Sequence, residues 1–263
     1  MKTVSPTNLL AYVAISLILT ACSPTKTTSS VAAPVQRVPA KFDYSPPSRA
    51  HAGSTNITIA IVKPTYVGKN PEYFVPPFNE MAASMGNDFE ELLTAKGFTM
   101  RGPFGSRDEM VYNDKVNSSF VLEIGIELNP QYSRKGNPVT KTNWGAIFDK
   151  NAPTSVTTFT THGEITLGGS LVINAKSSQY GELIWKKNIA LQPTTFTYTG
   201  SLTWNTYPPM SEELNKDNQV YNTLSAELEK FYLKALDLAW QQIDPSEMKT
   251  VAEQAKKADK KGG

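Results

Sequence analysis

Cysteine is nearly absent from this chain: Cys22 is the only one in 263 residues. One thiol excludes an intramolecular disulfide framework and a cysteine-based zinc site. Histidine is almost as scarce. His51 and His162 lie far apart with no helical i, i+4 partner, so the zinc-protease pattern is missing, and His162, beside Gly163 at a strand start, reads as a surface histidine. Charge of one sign is also lacking. Lys plus Arg number 26 against 24 Asp plus Glu, a net +2 that is scattered rather than gathered into a stripe, so a nucleic-acid partner is not expected. Neither G-x-G-x-x-G nor the P-loop spacing occurs. Gly168-Gly169-Ser170 is not a nucleophile elbow, because Val172 stands where the closing glycine belongs. Glu123 and Glu127 share a strand face but lie about 13 Å apart at strand rise, wider than the roughly 5–9.5 Å of paired-carboxylate glycosidases. Catalysis, a bound metal and a cofactor are therefore not expected.

Long hydrophobic runs are missing too, except at the N-terminus. After Met1-Lys2, the stretch from Leu9 to Ala21 is mostly apolar, ends on small residues and is too short to span a bilayer, which is the layout of a secretory signal peptide. It closes on Leu19-Thr20-Ala21-Cys22, a bacterial lipobox, so residues 1–21 read as a lipoprotein signal peptide and Cys22 as the lipidated first residue of the mature chain. Its thiolate is the natural nucleophile for the lipid donor. Lipidation consumes the lone thiol, and several acyl chains on one residue give a firm membrane anchor. Ser23 follows where an Asp would favour retention in the inner membrane, which favours the outer membrane. Residues 22–53 are dense in Pro, Ser, Thr and Ala without a period and read as a flexible lipidated tether, with Phe42 and Tyr44 docking at its far end.

The remaining pattern alternates between strand and helix periods. Asn56–Lys63 (NITIAIVK) reads as a buried strand stopped by Pro64. Phe78, Met81, Ala82, Met85, Phe89, Leu92 and Leu93 recur at helical spacing, and Gly97 stands where a left-handed cap belongs. Phe98–Arg101 reads as a second strand. Ser119–Leu128 alternates cleanly and predicts an antiparallel strand with one packed face. Glu164–Asn174 and Leu183–Leu191 form a hairpin, with a bulge at Gly168-Gly169. Asp217–Ile243 predicts a long amphipathic helix. Asp244 and Glu247 can form a capping box for a last helix, which is poor in large apolar residues after Met248 and Val251 and is expected to be exposed. The fold class is α+β: a mostly antiparallel sheet with two main amphipathic helices packed on one face. A single globular domain over residues 54–244 is followed by an exposed C-terminal helix or tail, 245–263.

Candidate binding residues lie in two polar segments. Gln131–Pro153 reads as a long loop carrying Arg134, Lys135, Lys141 and Trp144, and Thr194–Pro209 adds Tyr198 and Trp204 in a Ser/Thr-rich setting. Aromatic faces beside hydroxyls and cationic donors suit sugars or protein surfaces. For each single aromatic, the competing account is that it pins its loop to the sheet.

Taken in order, the lipobox, FDYSPPS, NITIAIVKP, the helix into LLTAKGFTM, VLEIGIELNP, and the hairpin from EITLGGSLVI to ELIWKKNIAL resemble one family, the neuraminyllactose-binding hemagglutinin lipoproteins of Helicobacter, also described as flagellar-sheath adhesins. The resemblance covers roughly Phe42 to Lys249. It implies a lipoprotein anchored in the outer membrane through Cys22, at the cell surface or flagellar sheath, with a glycan partner met by a short Lys-Arg-Thr segment after the central strand. Here that place reads Tyr132-Ser133-Arg134-Lys135-Gly136, which keeps a basic pair and departs at the threonine. The alternative is a periplasmic lipoprotein of envelope or flagellum assembly whose partner is another envelope protein.

Overall fold

A computed structural model describes residues 34–142 and 155–261. The signal peptide, Cys22, the first part of the tether and Trp144 lie outside the described residues. A compact unit runs from Val35 onward. Its elements are β1 (Thr58–Val62), β2 (Thr65–Tyr66), a 3-10 turn (Pro71–Phe74), α1 (Phe78–Ala95), β3 (Thr99–Phe104), α2 (Tyr112–Asn117), β4 (Phe120–Leu128), β5 (Gln131–Thr142), β6 (Ser155–Lys176), β7 (Leu183–Trp204), α3 (Met210–Lys216), α4 (Asn218–Gln242) and α5 (Pro245–Lys261). No helix among the described residues is long and apolar enough to cross a membrane.

One mixed sheet carries the fold. β1 runs parallel to β3 and β4, and β2 parallel to β4, while β6 is antiparallel to β4, β5 and β7. The strand-helix-strand opening through β1, α1 and β3 thus joins a larger antiparallel half. β4 pairs the C-terminal end of β6, Gly169–Lys176, and β5 pairs its N-terminal end, Ser155–Thr166. The backbone of Asn129 bridges the junction by donating to the Gly168 carbonyl at 2.9 Å. Residues 120–142, 155–176 and 183–204 therefore form a three-stranded ribbon whose far half, the β5 half, extends as an arm.

The alternation of β1 and β4 decides where the core sits. Ile59, Ile61, Phe120, Leu122, Ile124 and Ile126 face the helices, where they meet Met81, Phe89, Leu92, Leu224, Leu228 and Val251. Ala60, Val62 and Val121 point the other way into a small second cluster with Met110. Gly97 takes φ +89. The amides of Gly97 and Phe98 return to the carbonyls of Thr94 and Leu93, closing α1 with a Schellman motif. The register of β6 against β7 shifts at Leu167/Gly169, where the bulge was expected.

Several expectations need correction. The polar segment after β4 is not a loop as far as Thr142, and Thr194–Trp204 continues β7. Both were invisible to hydrophobic periodicity because a ribbon wet on one face and lined by mixed polar and aromatic groups on the other takes much of its stability from paired backbone rather than from apolar alternation. The last helix is not a free tail: Met248, Val251, Ala255 and Ala258 are buried, and the two alanines in that stripe let α5 lie close to the sheet with little apolar bulk. Glu247 is not the partner in a capping box; it accepts from Trp185 Nε1 at 2.8 Å, while Asp244 caps alone through Ser246 N at 2.7 Å. The tether boundary at Gly53 is too late. Arg37 reaches the Leu214 and Asn215 carbonyls and lies over the Tyr221 ring, and Phe42 and Tyr44 are buried.

The helical layer meets the ribbon at Asp217. Its fully buried carboxylate accepts from Ser201 N (2.6 Å), Ser201 Oγ (2.7 Å) and Leu202 N (2.8 Å) on β7, and from Gln219 N (3.0 Å) and Val220 N (3.4 Å) at the start of α4. Removing it strands a helix cap and two edge amides together. Asp217→Ala should therefore destabilise the protein by about 3 kcal/mol or more, read as a drop in Tm, whereas an exposed arm substitution such as Thr140→Ala should shift Tm by no more than a degree or two.

Candidate functional site

The arm has two chemically different faces, and strand geometry sorts its residues between them. Successive side chains of β5 alternate, so Tyr132, Arg134 and Gly136 face α3 while Gln131, Ser133 and Lys135 face away from the helices. β6 and β7 continue the rows across the ribbon: Lys135 stands opposite His162 and His162 opposite Thr199, while Ser133 stands opposite Glu164 and Glu164 opposite Thr197. A third row puts Gln131 beside Thr166 and Thr195, whose hydroxyls are 2.8 Å apart.

On this outer face the first two rows surround a depression of about 330 Å³, with Gly163 and Tyr198 completing its lining. Gly163 has no room for a side chain, since a Cβ there would come within 2.0 Å of the Ser133 carbonyl oxygen. The depression itself is bounded by a cation, a carboxylate, an imidazole and three hydroxyls. Among the described residues, neither Lys135 nor Glu164 forms an ion pair. His162 Nδ1 is shielded and has no hydrogen-bond partner.

The inner face is closed. Arg134 Nη1 donates to the Pro208 carbonyl at 2.6 Å and to Glu213 Oε2 at 3.2 Å, and Thr161 Oγ1 donates to the other oxygen of Glu213. Glu213 is fully buried. Burial pushes its pKa up, with the bonds from Thr161 and Arg134 pulling against that and the charge of Asp217 adding to it. The hydroxyls of Tyr132 and Tyr198 are raised, first by burial. Farther out, Phe159 pairs with Tyr207 at 4.6 Å between centroids and stands opposite Trp204.

Of the expected binding residues, the geometry gathers Lys135 and Tyr198 at the depression, the latter with its ring buried. Arg134 does not belong there. Neighbours on a strand point to opposite faces, and its guanidinium is engaged by Glu213. Lys141 is exposed six residues along the strand, about 20 Å from Lys135, and Trp204 is half-buried on the inner face. His162 reads from the sequence as a surface histidine, and Glu164, Ser133, Thr197 and Thr199 are not among the expected binding residues. The one signal for them was threonine at every second position from 195 to 199, which becomes readable once that segment is known to be a strand.

No protein-family model matches the chain, and no curated protein sequence matches it either. Its fold is similar to that of a neuraminyllactose-binding hemagglutinin homologue from Helicobacter pylori, at a TM-score of 0.51 and 11% identity, over 81% of this chain and 98% of that one. A minor lipoprotein from Acinetobacter baumannii aligns at a TM-score of 0.20 and 10% identity, over 66% and 89% of the two chains. A hypothetical protein from Chlamydia trachomatis gives 0.21 and 10% over 67% and 98%. The first of these is a likeness of fold.

The raised pKa of Glu213 has a sign. The folded state holds its proton more tightly than the unfolded chain, so its contribution to stability is greatest at low pH and is lost as pH rises from the ordinary 4.5 through the folded value. Glu213→Gln should flatten the pH dependence of Tm on that interval relative to wild type. Parallel curves would show that another group is responsible.

Proposed function

We propose that this chain is a lipid-anchored protein of the bacterial outer membrane, held by Cys22 and acting as a binding protein rather than an enzyme. Its arm presents a site for a glycan carrying a carboxylate, of the sialylated kind. The observation that carries this reading is the set of Lys135, His162, Glu164, Ser133, Thr197 and Thr199 around one depression on the face of the ribbon that no helix among the described residues covers. Lys135 is the partner for the carboxylate. Thr197, Thr199, Ser133 and Glu164 offer donors and acceptors to sugar hydroxyls. The likeness to the Helicobacter pylori fold supports the reading as an analogy.

The two members of the basic pair have separable roles. Lys135→Ala should weaken binding of sialyllactose about tenfold with Tm unchanged, whereas Arg134→Ala should lower Tm, because it leaves Glu213 buried without its cation. Titration calorimetry and thermal unfolding of both variants read the difference, and a wild-type protein that binds no sialylated glycan refutes the ligand.

For the address, Cys22→Ser should move the protein from the membrane fraction to the soluble one while keeping its circular dichroism. Protease shaving of intact cells locates the domain: cleavage fits a surface or sheath adhesin, and protection alongside a cleaved surface control assigns it to the periplasmic side.

A further inference from the structure

A cavity larger than the depression on the arm lies away from it, where α5 crosses the ends of the central strands. It has a volume of about 790 Å³, within the range of small-ligand sites. α5 buries Met248, Val251, Ala255 and Ala258 against the sheet. The next stripe around the helix, Lys249, Ala252, Glu253, Lys256 and Lys260, then forms one wall of a groove. The opposite wall and floor are uncharged: Ser54, Asn117, Ser119, Ser178 and Gln179 supply polar groups, with Ile57 and Val116 as apolar members.

Two features make this a built site. Asp259 fastens the far end, with Oδ1 accepting from Gln179 N and Oδ2 from Ser178 Oγ, both at 3.3 Å, so the turn between β6 and β7 is tied to the last turn of α5. Ser118, only 7% exposed, lines the groove, and its shielded hydroxyl has no hydrogen-bond partner among the described residues. Such a group costs free energy unless something pairs with it. The groove thus holds three lysines, Lys249, Lys256 and Lys260, against the carboxylates of Glu253 and Asp259. Among the described residues, none of the three forms an ion pair.

The spacing of the cations narrows the chemistry. Lys249 and Lys256 are seven residues apart on one helix, about 10 Å along its axis, with Glu253 between them and hydroxyls and amides opposite. No aromatic ring lines the groove, so a neutral sugar has no stacking platform. We infer that this groove is a second binding site, for an acidic saccharide of about two rings bearing an anionic group towards each end. Lys249 meets one group and Lys256 with Lys260 the other, while the Ser/Asn/Gln floor meets the ring hydroxyls.

The test uses the mature full-length protein in detergent, titrated at low salt with a glucosamine disaccharide phosphorylated at both ends, with its dephosphorylated counterpart, and with inorganic phosphate. The bisphosphorylated disaccharide should bind, and Lys249→Ala or Lys256→Ala should each weaken it about tenfold. Both lysines are exposed, so the variants should fold. Hydrogen exchange should slow over residues 54–57 and 116–119 on binding. The dephosphorylated sugar should fail. The inference is overturned if the wild type does not bind, if the lysine variants bind as well as wild type, or if phosphate alone binds as tightly as the disaccharide. Sialyllactose titration of the arm is a separate readout, so either site can fail alone.

Discussion

One buried carboxylate holds the two halves of this structure in register. Asp217 stands at the point where the ribbon hands over to the helical layer, and it serves both at once by capping α4 and closing two amides of the β7 edge. A free edge is a template for unwanted pairing, so the same bonds protect the ribbon where it leaves the core. Room for the carboxylate exists because residue 200 is glycine: a Cβ there would come within 2.9 Å of Asp217 Oδ2 and 2.7 Å of Thr161 Oγ1. Thr161 in turn bonds Glu213, which bonds Arg134. The Asp217 amide donates to the Glu213 carbonyl at 2.8 Å, so polar contacts run from the start of α4 through α3 into all three strands of the arm.

A second buried carboxylate plays a similar part for the segment that leads into the domain. Asp88 of α1 accepts from Tyr44 N at 2.8 Å and from Tyr232 Oη of α4 at 2.5 Å, and burial raises its pKa despite those bonds. The stretch from Arg37 to Tyr44 is thereby strapped along α4. Its polar composition resembled a tether because its bonds are made by backbone groups to Asn222, Glu229 and Asp88, and those leave no trace in hydrophobic periodicity.

The core was legible for the reason that the arm was not. Ile57, Ile59 and Ile61, the alternation of β4, and the helical spacing of α1 and α4 are direct images of burial, and the structure repeats them nearly residue for residue. The far ends of β5, β6 and β7 bury little, so Gln131–Thr142 and Thr194–Trp204 carried no apolar period and looked like loops. The candidate site inherits that blindness. Its residues come from three strands whose register no local pattern encodes, and His162, solitary in sequence, acquires its neighbours Lys135 and Thr199 only through pairing. α5 failed differently: alanine buries well against a sheet but gives too little hydrophobic signal to set its helix apart from a solvated one.

The division of labour between Arg134 and Lys135 follows from the same pleat. Two adjacent cations on a loop can converge on one ligand, whereas on a strand they cannot, since consecutive side chains leave opposite faces. Arginine, with its fixed fork of donors, occupies the dry side, where it bridges a carbonyl and a carboxylate. Lysine, a hydrated point charge on a flexible stem, occupies the wet side. The inner pairing also bears on the outer surface. By fixing β5 against α3, it holds the rows Lys135–His162–Thr199 and Ser133–Glu164–Thr197 in place before any ligand arrives, so a ligand on the outer face meets groups whose ordering cost was met when the chain folded.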